Sequence, residues 1–143
     1  MSRKFVYISQ IKWIGEKKVV LCSQDKTSIE IGPPLEFRGY KNRWSPEELF
    51  VSAVNSCIML TFLYYADKYK YDIVEYQSAA EGILEKVEGQ FRISVIKVRP
   101  KISFSKNINI SSIEEIMKLC EKNCYISNSV NSQIEIIPEY NPV

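Results

Sequence analysis

Period-two alternation opens the chain. Phe5, Tyr7, Ile11 and Trp13 are apolar among mostly polar neighbours, with Ile8 out of phase, and residues 19–22 form a second apolar run. Gly15-Glu16 and Gln24-Asp25-Lys26 offer turns and residues 28–31 alternate again, so the first third predicts three short antiparallel strands. Gly32-Pro33-Pro34 ends the third of them, because proline lacks a ladder donor and restricts the residue before it. A polar loop over residues 35–44 follows, carrying Arg38, Gly39, Lys41 and Arg43.

The period then changes. Ser45-Pro46-Glu47-Glu48 has serine at the N-cap, proline at the first helical position and glutamate at the third, which predicts a capping box at the start of a helix. Residues 49–66 are apolar apart from Ser52, Asn55, Ser56 and Thr61. A membrane span needs roughly 20 predominantly apolar residues. The polar interruptions and the Asp67-Lys68 exit favour instead a helix buried on nearly all faces of a soluble protein.

Beyond Lys70 the alternation returns over residues 73–84 and 91–104, joined at Glu88-Gly89-Gln90, which predicts a long hairpin. Ser112 and Glu115 stand in capping-box relation ahead of a second helix. On it Ile113, Ile116, Met117, Cys120 and Cys124 fall on one face. Residues 133–137 read as a last short strand closed by Pro138. The order βββ-α-ββ-α-β predicts an α+β fold, with antiparallel sheets packed on a long buried helix. With 143 residues and no repeat or linker, one domain over residues 1–143 is expected. A helix apolar all round needs cover on its second side, and a second copy of the chain supplies it, so a homodimer is expected.

Composition narrows the chemistry. Nineteen basic and 17 acidic residues leave a net charge of +2, far from the footprint of a nucleic-acid binder. The N-terminal segment has no apolar h-region and no small-residue cleavage site, which makes the cytoplasm the expected location. There is no histidine, so a reactive thiol would have to be activated by other charged groups or by backbone dipoles. The four cysteines, Cys22, Cys57, Cys120 and Cys124, lack the short knuckle spacing of a zinc site and match no compact disulfide framework. Neither metal nor cofactor is expected. Taken alone, Cys57 and Cys22 read as small apolar core residues.

Ser45-Pro46-Glu47-Glu48-Leu49-Phe50, then Cys57 ten residues after Glu47, then Cys124-Tyr125-Ile126-Ser127-Asn128-Ser129-Val130, together resemble the OsmC/Ohr family of thiol peroxidases in order and spacing. That resemblance implies an interwoven dimer with sites at its interface. It makes Cys57 the peroxidatic cysteine and Cys124 the resolving one, gives Glu47 the task of orienting an arginine, and leaves Cys120 as core filler. It places the arginine in the loop before the helix, at Arg38 with Arg43 next, since the first hairpin carries only lysines. Tyr125 stands where the family usually has proline, and Asn55 and Ser56 replace small residues before the first cysteine. The implied substrate is an organic hydroperoxide and the implied partner an external dithiol. The alternatives are a non-catalytic dimeric binding protein or a redox sensor on the same fold. At about 1.5 Å per residue, Glu47 and Cys57 are about 15 Å apart on one straight helix and turned away from each other, so they share a site only if the helix breaks or two subunits contribute. Phe50, Met59 and Phe62 are the apolar residues expected to flank it.

Overall fold

The computed structural model describes residues 2–143, which divide into two compact units, one up to Leu49 and the other Phe50–Val143. The first unit is built on a three-stranded antiparallel sheet in the order β1 (Gln10–Gly15), β2 (Lys18–Ser23), β3 (Lys26–Ile31). The three predicted strands are present, but the first starts at Gln10. Phe5 and Tyr7 alternate as a strand would, yet they stay outside the sheet and exposed. The β1–β2 turn falls at Glu16-Lys17, with Gly15 and Glu16 both at positive φ and a bulge between Trp13 and Gly15. After β3 the chain makes a short 3-10 turn at Leu35–Phe37 that ends on Arg38 in the left-handed region (φ 63°). A Cβ on Gly39 would collide with the Pro33 carbonyl, so this loop closes only with glycine there.

Helix α1 (Pro46–Lys68) starts as its sequence predicts. Glu48 N–H donates to Ser45 Oγ at 3.1 Å and Ser45 N–H donates to Glu48 Oε1 at 3.0 Å, the reciprocal pair of a capping box. From Phe50 onward α1 belongs to the second unit. There β4 (Ile73–Val87) and β5 (Gln90–Phe104) form the expected long hairpin, turned by Glu88 and Gly89, both at positive φ as a two-residue hairpin turn requires. Helix α2 (Ile110–Asn123) follows, then β6 (Gln133–Ile136) and β7 (Glu139–Pro142). Both late strands pair with β5, and both are parallel to it, so this sheet is mixed where an all-antiparallel one was expected.

Val54, Ile58, Phe62 and Ala66 of α1, Ile96, Val98, Ile102 and Phe104 of β5, and Ile113, Ile116, Met117 and Cys120 of α2 make one core. Gly82 lets α1 approach the hairpin: a Cβ there would meet Val51 Cγ2 at 2.5 Å and Ile93 Cγ2 at 3.2 Å. The expected burial of α1 on nearly all faces is not met within one chain. Only the i, i+4 row Val54–Ile58–Phe62–Ala66 is buried, while Leu60 and Tyr64 are 66% and 62% exposed. Although α1 has the length and apolarity of a membrane span, that buried row makes it a core helix. The N-cap of α2 is Asn109, three residues before the predicted cap Ser112. Ser112 N–H bonds to the Asn109 carbonyl, so Ser112 lies inside the first turn and not at the cap.

Candidate active site

Cys57 lies in the middle of α1, half-buried, one helical turn before Thr61, whose Oγ1 is 3.9 Å from its sulfur. Cys124 comes from the other helix. It is the first residue past α2, with extended backbone (φ −75°, ψ 110°), and its N–H closes the helix on the Cys120 carbonyl at 2.9 Å. The expected continuation of the helical face to Cys124 therefore stops at a cap, although Cys124 is fully buried with the rest of that face. The chain then turns sharply. Asn128 N–H bonds to the Cys124 carbonyl at 3.0 Å, Ser129 N–H to the Ile126 carbonyl at 3.0 Å, and Asn128 Nδ2 to the Lys122 carbonyl at 3.1 Å. These bonds fix a turn whose backbone at Tyr125 and Ile126 lowers the proton affinity of Cys57.

Cys57 and Cys124 face each other, and the environment splits their proton affinities. Burial disfavours the Cys57 thiolate. The Cys124 thiol, the Ile126 N–H, the Thr61 hydroxyl and the Tyr125 N–H outweigh burial and hold Cys57 below the ordinary thiol value. None of the groups that lower it is a cation. Cys124 is displaced the other way, first by burial and then by its neighbour Cys57, against the opposing pull of the Ser127 hydroxyl and N–H. Cys120 is the inert third thiol: burial, with Cys124, Cys57 and Glu121 behind it, pushes it up to about 12, and its S–H donates to the Ile58 carbonyl at 3.0 Å. The arrangement is a sulfur of lowered proton affinity beside one of raised proton affinity, next to the turn that follows α2.

The charged residues of the expected site belong to the first unit. Glu47 lines a cleft of about 430 Å³ whose walls include Lys17, Val19, Pro33, Pro34 and Phe37. Its Oε1 is buried without a hydrogen-bond partner. Arg38 is exposed and is not part of that lining. Arg43 is engaged by Glu30 at 3.3 Å, by Asn42 at 3.2 Å and by the Tyr40 ring at 5.4 Å. Among the described residues no ion pair joins Glu47 to either arginine. α1 shows no break between Glu47 and Cys57. Of the three expected flanking residues, Phe62 is wholly buried and packs edge-on against Tyr76 at 5.3 Å, so it belongs to the core.

Sequence reasoning missed several of the residues around the sulfurs. Thr61 was readable in principle, since i+4 on a helix faces the same way as i. Ser127, whose Oγ lies 3.2 Å from Cys124 Sγ, and the two N–H donors depend on the turn after α2 and leave no periodic trace. Lys17 was one hairpin lysine among several until the cleft set it apart. Cys22 is half-buried near the end of the central strand β2, 3.8 Å from the Gln10 carbonyl, and not a core residue as its strand position implied.

The sequence model for OsmC-like proteins matches residues 39–139. The uncharacterized protein YmaD of Bacillus subtilis is 26% identical over 113 residues, 77% of this chain and 74% of that protein. An OsmC-like protein of unknown function from Vibrio cholerae superposes with a TM-score of 0.88 at 24% identity, covering 94% of this chain and 99% of the other. An organic hydroperoxide resistance protein from Elizabethkingia anophelis superposes with a TM-score of 0.75 at 17% identity, covering 99% and 100%. At such identities the structural likeness speaks for the fold alone.

Proposed function

Because this chain belongs to the family of OsmC-like proteins, we propose that it is a thiol-dependent peroxidase that reduces organic hydroperoxides through Cys57 and Cys124. The observation that carries this reading is the sulfur pair: a Cys57 held below the ordinary thiol value beside a Cys124 held above it, with Thr61 against the first sulfur and Ser127 against the second. A structural likeness to an organic hydroperoxide resistance protein agrees with it.

The Cys57 thiolate attacks one oxygen of the peroxide, the O–O bond breaks, and the alkoxide leaves and takes up a proton as alcohol. Cys57 is then a sulfenic acid. The Cys124 sulfur attacks it, the S–O bond breaks, and hydroxide leaves as water with the Cys124 proton. An external dithiol returns the disulfide to two thiols. The backbone N–H groups of Tyr125 and Ile126 stabilise negative charge on the attacking sulfur without a cation.

Glu47 and a guanidinium complete the site from a second copy of the chain, since α1 is unbroken and holds Glu47 away from Cys57 of its own chain. Arg38 is the first choice for that cation, because Arg43 is already engaged by Glu30 and Tyr40. The same homodimer covers the exposed α1 residues Leu60 and Tyr64. Phe50 and Met59 flank the site on the apolar side of the substrate. No cofactor takes part, and the cytoplasm supplies the dithiol.

The test is steady-state consumption of cumene hydroperoxide with dihydrolipoamide or dithiothreitol as reductant. The parent chain turns over many equivalents and Cys57→Ser none. A parent that consumes a single equivalent and stops is a sensor, and one that consumes none, with thiols intact, is a non-catalytic relative.

A further inference from the structure

Cys124 has to become a nucleophile in a place that resists it. Its sulfur is fully buried, so no water solvates the charge that appears when the proton leaves. The Ser127 hydroxyl donates to it at 3.2 Å, and Cys57 is its other polar neighbour. We propose that Ser127 is a catalytic residue of the disulfide-forming step, its hydroxyl at 3.2 Å stabilising the negative charge on Cys124 Sγ as that sulfur attacks the oxidised Cys57. The assignment rests on the peroxidase reading above.

The local backbone makes this contact. Cys124 caps α2 in an extended conformation, the Asn128 N–H returns to the Cys124 carbonyl, and residues Ser127–Ser129 form a 3-10 turn that brings the Ser127 side chain back over the sulfur three residues earlier. A thiol at this position feels Cys57 and Ser127 in opposite senses. While Cys57 carries negative charge it keeps the proton on Cys124. Once Cys57 has taken an oxygen from the peroxide it is neutral, that influence is gone, and the two Ser127 donors act against burial alone. Oxidation of the first sulfur thus releases the second, and Ser127 supplies the donor that the released charge needs. In balance, Cys124 loses a proton and gains a bond to Cys57 sulfur, and the Cys57 S–O bond breaks to give water.

The step can be watched without peroxide. In a Cys22→Ser background, the aryl disulfide dithiobis-nitrobenzoate reacts with Cys57, releasing one thionitrobenzoate anion and leaving a mixed disulfide. Cys124 then attacks that bond and releases a second anion as its proton goes to buffer. The parent shows two phases, one anion each. Ser127→Ala leaves the first phase nearly unchanged and slows the second about tenfold, the size of one hydrogen bond to a charged atom, and Ser127→Thr restores it. An unchanged second phase, an equal slowing of both phases, or a threonine variant as slow as alanine overturns the assignment. A chain that completes both phases with the expected Ser127 dependence but never turns over hydroperoxide leaves Ser127 in place and removes the proposed function.

Discussion

Two polar centres in this chain stand in opposite states of completion. Around Cys57 every donor comes from the second unit: the Cys124 thiol, Thr61 and two backbone N–H groups, with Ser127 behind Cys124. In the first unit Glu47 has a buried oxygen with no hydrogen-bond partner, beside a cleft whose cation is Lys17, while Arg38 is exposed. A buried carboxylate oxygen without a donor costs on the order of 1–3 kcal/mol or more. A sulfur with four donors is stabilised where it stands. The contrast is between a thiol whose donors all come from its own unit and a carboxylate whose own unit leaves one buried oxygen without a partner.

The sharpest way to break that contrast is to remove the neighbouring sulfur. Cys124→Ala deletes both the proposed resolving thiol and a group that lowers Cys57, so turnover falls by at least about 100-fold as the intramolecular step is lost. The pH at which Cys57 alkylates half-maximally also moves upward. Cys124→Ser loses the turnover but keeps the donor, and its Cys57 profile stays low. Equal profiles for the two variants would mean that the pair is a contact without electrostatic consequence.

Next come the charged residues. Glu47→Gln and Arg38→Ala each lower kcat/KM for cumene hydroperoxide about tenfold while leaving the Cys57 alkylation profile in place, because no cation contributes to it. Lys17→Ala serves as the comparison. If it has the larger effect and Arg38→Ala none, the cation of the cleft has been misassigned to the loop. A Cys57 profile shifted by Glu47→Gln would merge the two centres into one.

A smaller effect concerns the uncovered side of α1. Leu60→Arg, at a 66% exposed position, changes the stability of the isolated fold by about 0.5 kcal/mol or less but converts a dimer to monomers in sedimentation velocity. A parent that sediments as a monomer removes the second copy from the account.

The smallest effect is alkaline loss of stability. Cys120 and Tyr140 are both held protonated up to about 12 by burial, well above their ordinary values of 9.0 and 10.0. Above pH 9 the unfolded chain therefore binds fewer protons than the folded one, and stability declines as pH rises toward 12. Thermal melts between pH 8 and 11 should show Tm falling, less steeply in Cys120→Ala.

What could be read from the sequence was local. Ser45, Pro46 and Glu48 announce the start of α1 because a capping box spans only four residues, and Glu88-Gly89 announces a hairpin because its turn is equally local. β7 was missed because Glu139-Tyr140-Asn141-Pro142 has no alternation. It is a strand only through parallel pairing with residues 101–104, helped by the Lys101–Glu139 contact at 3.7 Å. Phe5 and Tyr7 show the reverse failure, a strand pattern with no partner strand. The approach of Cys124 to Cys57 followed from resemblance and not from spacing, since 67 positions of chain separate them. The donors around Cys57 belong to a turn set by backbone bonds, which no periodicity encodes.

The most direct measurement is intact mass and disulfide mapping after one equivalent of cumene hydroperoxide, with Cys57→Ser alongside. The account predicts rapid loss of two hydrogens, one Cys57–Cys124 bond in the parent, and no such bond in the variant. Four reduced thiols with the peroxide still present, or a bond that involves Cys22 or Cys120 instead, would contradict it.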